Sequence, residues 1–367
     1  MASAADPKSA HPFLPTEIDQ AHEEAPSPNV YHLVGTSNVK QPLAAAKPEA
    51  QPLQSAEQGY YPQSGIHPRY QNPEAMMEKQ EIDEVPSWEK RFPRLGGIFE
   101  KAHSLRTRYN DYLAEFAGTL TLVLLGDGVL ATVILYPEGT ETSVWLMVSF
   151  GWGFALTMAL FVSGGVSGGH VNPAITFAAA CLRGFPWRKV PGYVAMQLLG
   201  AFCGAGLLFG LVKSSIDHRD GGERHVLGLK GTGGIFATYP QPWITIGTAF
   251  LAEAFATGVL VLCIYAITDE RNMPGTRIAP LAIGFALTAI SMSLGFQTGF
   301  AVNPARDLGP RVFTACAGYS SSPFHAFTKY AWVPVVAPFV GAVLGGLVYD
   351  FFINHPRLEI REDRRHS

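Results

Sequence analysis

The chain has 367 residues, of which 47% are apolar and only 16% charged, against a usual charged fraction of about 25%. A formal net charge of -3, with no basic stripe interleaved with aromatics, excludes a nucleic-acid partner. Four widely spaced cysteines, Cys181, Cys203, Cys263 and Cys316, form neither a disulfide framework nor a zinc pattern and read as packing residues, so no metal or cofactor is expected.

Residues 1 to about 90 are rich in Pro, Gln, Glu, Ser and Ala and hold no sustained period of 3.6 or 2. Such a segment buries too little apolar surface to offset its ordering entropy and reads as a disordered arm, either plain solvated chain or a regulatory extension. Its start lacks a basic stretch followed by an apolar core, so no cleaved signal peptide is expected. From Trp88 to Arg108 the chain turns basic and aromatic, as suits a segment against cytoplasmic headgroups. Residues 1–109 are thus read as an N-terminal tail, 110–353 as a membrane domain and 354–367 as a short cytoplasmic tail.

Six apolar stretches are long enough to cross about 30 Å of hydrocarbon, which takes roughly 20 helical residues each. They lie near 113–135, 144–163, 190–212, 244–267, 278–297 and 331–353. Two shorter apolar pieces, about 172–182 and 303–314, each start at an Asn-Pro-Ala. Lys101, Arg106, Arg108, Arg183, Arg188, Lys189, Arg271 and Arg277 fall on one side if the spans alternate, joined by the C-terminal Arg357, Arg361, Arg364 and Arg365. The opposite loop YPEGTETS is acidic, which puts both termini in the cytoplasm. The loop 213–243 carries four Lys or Arg residues offset by Asp217, Asp220 and Glu223.

AEFAGTLTLVLL at 114–125 is echoed by AEAFATGVLVLC at 252–263, with a VNPA following each copy. Three spans separate the copies, so the halves run in opposite senses and their broken helices meet near the midplane. The expected fold is therefore an all-α membrane protein, six transmembrane helices plus two re-entrant half-helices in an inverted repeat.

Helix-free backbone at membrane depth is tolerated only where protein or water satisfies it, and Gly164, Gly165, Gly168, Gly169, Gly295 and Gly299 make such loops sterically possible. Asn172 and Asn303 suit the cap position and Pro173 and Pro304 the first helical position, with Ala174 and Ala305 after them. The caps leave each Asn NH2 free to donate to a permeating oxygen where two helix N-termini, each about half a positive charge, converge. Glu115 and Glu253, at matching repeat positions, are read as acceptors for exposed loop amides, the alternative being a proton relay. Arg306 is placed on the first turn of the second half-helix, reaching an outer vestibule. Asp307 anchors that loop through Arg306 or backbone amides, and His170 is a mouth or packing residue. Asp127 lies near the outer end of the first span and receives no role. Glycine pairs at Gly200/Gly204, Gly206/Gly210 and Gly341/Gly345 suit close helix packing.

On these motifs, SGGHVNPA and GFAVNPARD in an inverted repeat, the region 110–353 resembles the major intrinsic proteins, and within them the aquaglyceroporin or glycerol facilitator branch. The resemblance implies the aquaporin fold, a tetramer with one pore per subunit, and a plasma-membrane location. It also implies an outer constriction at Trp152, Ser291, Phe300 and Arg306, where carbon-bound hydrogens slide on aromatic faces and hydroxyls bond to the arginine. Asp307 after the arginine, FATYPQP at 236–242 and Pro338 agree with the glycerol branch, and the Pro-rich tail is similar to fungal members. The expected activity is passive conduction of glycerol and other small neutral polyols, with some water. A channel mainly for water or hydrogen peroxide, and a proton-coupled secondary transporter, stand as alternatives. No nucleophile elbow, His-Glu-x-x-His helix or paired catalytic Asp lies in the spans, so no enzyme chemistry is expected.

Overall fold

The computed structural model describes residues 104, 106–136, 144–271 and 278–354, the side chains of Thr328 and Lys329 excepted. The N-terminal arm, most of the acidic loop at 137–143, Arg277 and the C-terminal arginines lie outside them. Among the described residues six helices are long and apolar enough to span a bilayer: α1 (Asn110–Leu135), α2 (Val144–Ser167), α4 (Val190–Asp220), α5 (Ile246–Thr268), α6 (Ala279–Leu294, counted with the turn that follows it to Gln297) and α9 (Val333–Phe352). Between them stand the short α3 (Pro173–Leu182) and α7 (Pro304–Thr314), each beginning at the proline of an Asn-Pro-Ala, and a small amphipathic α8 (Ser322–Lys329). Leu125, Phe154, Phe161, Leu211, Leu251, Phe255 and Phe351 remain exposed, the surface a spanning bundle leaves for lipid.

Three boundaries differ from expectation for identifiable reasons. Helix α4 runs two turns past the apolar stretch because its polar end is laced by Lys213 to Asp217 (2.5 Å), Arg224 to Asp217 (2.5 Å) and Arg224 to Asp220 (2.8 Å), before Gly221 stops it in the left-handed region. Gly164 and Gly165 stay helical inside α2, so only Gly168 and Gly169 open the first break. Helix α6 stops at Leu294, and a 3-10 turn, Gly295–Gln297, follows where Gly295 lies against the Phe300 ring.

The repeat is visible in the packing. Gly200 and Gly204 of α4 lie on the backbone of Phe116 and Leu120 in α1, while Gly341 and Gly345 of α9 lie on Ala254 and Gly258 in α5. A side chain at any of the four would overlap a carbonyl oxygen, so both crossings depend on backbone-to-backbone contact. The third pair does not form a crossing: Gly206 faces the Phe313 ring and Gly210 has nothing within 4 Å. Among the cysteines, Cys203 and Cys263 are half-buried whereas Cys181 and Cys316 are exposed, so the latter two do not pack within the chain.

Gly345→Val should force α5 and α9 apart and abolish the monodisperse folded protein in detergent. Gly210→Ala should leave the melting temperature unchanged or raise stability by up to about 1 kcal/mol, from helix propensity alone.

Candidate functional site

Both breaks are built alike. Asn172 and Asn303 have extended backbones, φ -158° and -151°, and their Oδ1 atoms accept from Ala174 N and Ala305 N, each at 2.9 Å. Asn303 Oδ1 also accepts from Arg306 N at 3.3 Å. The amide nitrogens are not free: Asn172 Nδ2 donates to Val302 O (2.9 Å) and Asn303 Nδ2 to Val171 O (2.8 Å). Each NH2 carries two hydrogens, so this exchange uses one and leaves one for a solute oxygen.

The residues before the caps are strained. Val171 and Val302 both sit at φ 44°, and Phe300 at φ 42°, where a β-branched or bulky side chain is an outlier costing roughly 1–3 kcal/mol. The two buried glutamates hold these loops. Glu115 Oε1 accepts from Ser167 Oγ (2.6 Å) and His170 N (2.9 Å), and its Oε2 from Val171 N (2.7 Å) and Gln197 Nε2 (2.7 Å). Glu253 Oε1 accepts from Thr298 Oγ1 (2.6 Å) and Ala301 N (3.0 Å), and its Oε2 from Val302 N (2.8 Å). Thr298 thus stands where Ser167 does in the other half. His170 is a packing residue, its ring against Phe185 and Tyr193 (4.7 and 5.4 Å between centroids) and its Nδ1 3.1 Å from Thr176 Oγ1.

At the second break the four residues Trp152, Ser291, Phe300 and Arg306 are all buried, 0–3% exposed. Trp152 and Phe300 meet edge to face at 6.4 Å, and Trp145, two turns before Trp152 on α2, closes on Phe300 at 5.9 Å. The Arg306 guanidinium does not stand in an open vestibule: its carbon lies 3.9 Å from the Trp152 ring centroid, and Nη1 is 3.6 Å from Asp127 Oδ1. Ser291 is drawn to α2 by a 2.8 Å bond between its Oγ and Ser149 Oγ. A cavity bounded by Trp145, Val148, Trp152, Tyr239, Phe300 and Arg306 adjoins this narrowing.

Asp307 turns away from Arg306. It accepts from Thr238 N (2.8 Å) and Oγ1 (2.7 Å) and from Arg311 Nε (2.7 Å), because the residue four along a helix shares its face and an adjacent one does not. Arg311, fully buried, also donates to Thr238 O (2.7 Å) and Pro323 O (2.6 Å) and lies over the Tyr239 ring at 4.8 Å. These bonds pin the loop 236–242 over the mouth of α7, and burial pushes the Tyr239 hydroxyl up to about 12 against the opposing guanidinium. At the other end of the molecule, Arg183 after α3 pairs with Asp350 at 2.7 Å and stacks on Tyr265 at 3.8 Å. Outside the helices there, Asp269 is held well below the usual carboxylate range by Arg271.

The sequence expectations do not include Trp145, Gln197 or Arg311, and leave Asp127 without a role. Trp145 had a usable signal, seven residues from Trp152 and so on its face. Arg311 had one too, four residues beyond Asp307.

Backbone that leaves the helix twice at the centre of a spanning bundle, keeping a donor spare each time, has the construction of a wall along a narrow polar path. That is the architecture of a membrane channel. The chain belongs to the Major intrinsic protein family, whose sequence profile matches residues 101–349. Aquaglyceroporin-2 of Rhizophagus irregularis is 47% identical over 247 residues, 67% of this chain and 78% of that protein. Aquaglyceroporin-3 of Trypanosoma brucei brucei is 43% identical over 262 residues, 71% of this chain and 84% of the relative. The X-ray structure of the aquaglyceroporin from Plasmodium falciparum superposes with a TM-score of 0.60 at 33% identity, covering 66% of this chain and 96% of that one.

Glu253→Ala should strand the Ala301 and Val302 amides and the Thr298 hydroxyl, at about 1–3 kcal/mol each. Thermal unfolding in detergent should show a large loss of stability, with Glu253→Gln, which keeps the shape and one good acceptor, falling between it and the wild type.

Proposed function

We infer that this chain is a passive transmembrane channel for glycerol and other small neutral polyols, with some water. The observation that carries the solute class is the Trp152/Phe300 corner beside Arg306. The aromatic faces accept the carbon backbone of a polyol without hydrogen bonds, and the guanidinium supplies donors to its hydroxyls. Deeper in, the spare hydrogens of Asn172 and Asn303 offer two more donors at the junction of two helix N-termini, where about half a positive charge from each opposes cations and protons.

We propose that the subunits form a homotetramer in the plasma membrane, residues 110–353 being the channel. Residues 1–109 and 354–367 would then be cytoplasmic tails, the first a candidate regulator of opening. The assignments of Trp152, Ser291, Phe300 and Arg306 to solute selection, and of Glu115, Glu253 and Asp307 to loop support, belong to the same proposal. Against proton coupling stands the state of the two glutamates, whose oxygens are occupied by loop donors in both halves. One observation favours a channel mainly for water or hydrogen peroxide: a guanidinium 3.9 Å from the Trp152 centroid leaves no room for a solute between them.

Purified protein in liposomes, with water and glycerol fluxes followed by light scattering, tests the reading. Glycerol flux should be non-saturating and indifferent to an imposed proton gradient. Trp152→His and Phe300→His should each lower the glycerol-to-water ratio severalfold. An unchanged ratio in both would remove these two residues from the constriction, and saturable or gradient-driven uptake would restore the transporter.

A further inference from the structure

Asp127 lies inside α1, fully buried, and neither of its carboxylate oxygens accepts a hydrogen bond among the described residues. The nearest charged group is the equally buried Arg306, whose Nη1 stands 3.6 Å from Oδ1. Arg306 Nε and Nη1 and Trp152 Nε1 also lack partners there. Five unpartnered polar atoms on three side chains, one each from α1, α2 and α7, therefore stand in this region, with the guanidinium touching both the Asp127 carboxyl group and the Trp152 ring. The other carboxylates near the guanidinium are committed, Asp307 to Arg311 and Thr238, and Glu253 to the loop donors. Asp127 alone of the three faces Arg306 with both oxygens unspent.

The neighbouring Gly126 adds a second constraint. A side chain at 126 would overlap the six-membered ring of Trp152, so the indole is seated on bare α1 backbone at that position. One turn of α1 thus fixes the ring with Gly126 and presents the Asp127 carboxyl group to the guanidinium on that ring.

We propose that Asp127 is a positioning residue of the constriction: it draws Arg306 onto the Trp152 face, neutralises it, and so sets how much opening is left for solutes wider than water. The inference rests on the channel reading. A guanidinium 3.9 Å from the ring centroid is in van der Waals contact with the surface along which a polyol's carbons would slide. Without Asp127 only the cation–π attraction holds Arg306 there, and the side chain swings clear often enough for a polyol to pass. The neutral pair also spares the pore an isolated positive charge that would attract anions at its narrowest point.

The test is the ratio of glycerol to water permeability in proteoliposomes. Asp127→Asn, nearly isosteric but uncharged, should raise it by about threefold or more, a small lowering of the glycerol barrier. Asp127→Glu, which keeps the charge, should stay near the wild-type ratio. An Asn variant with an unchanged or lowered ratio, or a Glu variant indistinguishable from it, would overturn the proposal. If Asp127→Asn alone fails to assemble, the double variant Asp127→Asn/Arg306→Gln should assemble, since removing one member of a buried pair costs more than removing both. Failure of the double variant would also overturn it. A wild type that passes no glycerol counts against the polyol reading only; the role of Asp127 is then judged by whether the Asn variant gains glycerol flux.

Discussion

Everything at the pore centre depends on two buried carboxylates holding two strained loops. Val171 and Val302 adopt a backbone that their side chains disfavour, and their amides point where no helix or strand can receive them. Glu115 and Glu253 receive those amides, together with a neighbouring amide and a hydroxyl in each half. The carboxylates sit in helices set by the glycine crossings, so the placement of each loop is inherited from contacts between α1 and α4 or between α5 and α9. Charge is used here as scaffold. A carboxylate surrounded by donors avoids the cost that makes an isolated one so rare at membrane depth.

The cluster of Trp152, Phe300 and Arg306 follows a different logic. Its aromatic faces are apolar, though the Trp152 indole N–H is buried without a partner, and Arg306 brings a permanent charge into the same buried space. The protein separates two tasks that a single acidic residue cannot perform at once. Asp307 and Arg311 bind each other and the loop at Thr238, building the frame, while Asp127 faces Arg306. Adjacent Arg306 and Asp307 thus belong to different networks, a consequence of the helical turn between successive residues.

Much of this was legible in the residues. Spans appear as apolar runs of the right length, breaks as Asn-Pro-Ala, and the inverted repeat as two related stretches three spans apart. What escaped has a common cause. The extension of α4 to Asp220 is stabilised by ion pairs that an apolar count ignores, and α8 is amphipathic and only eight residues long. Spacing within one helix could have paired Asp307 with Arg311, but nothing local links Asp127 to Arg306, which lie far apart in the chain. Nor does Asn-Pro-Ala reveal that each asparagine spends a hydrogen on the opposite loop, since that partner is defined only once both halves are in place.

That exchange bears on how the molecule comes into being. Asn172 and Val302 are 130 residues apart, and Asn303 and Val171 are 132 apart, so neither loop reaches its final bonding from its own half alone. During synthesis the first loop must wait, with a polar amide and an exposed carbonyl at membrane depth, until the second loop has been made and placed. The pore centre therefore closes only once the second half has entered, and its two sides close together.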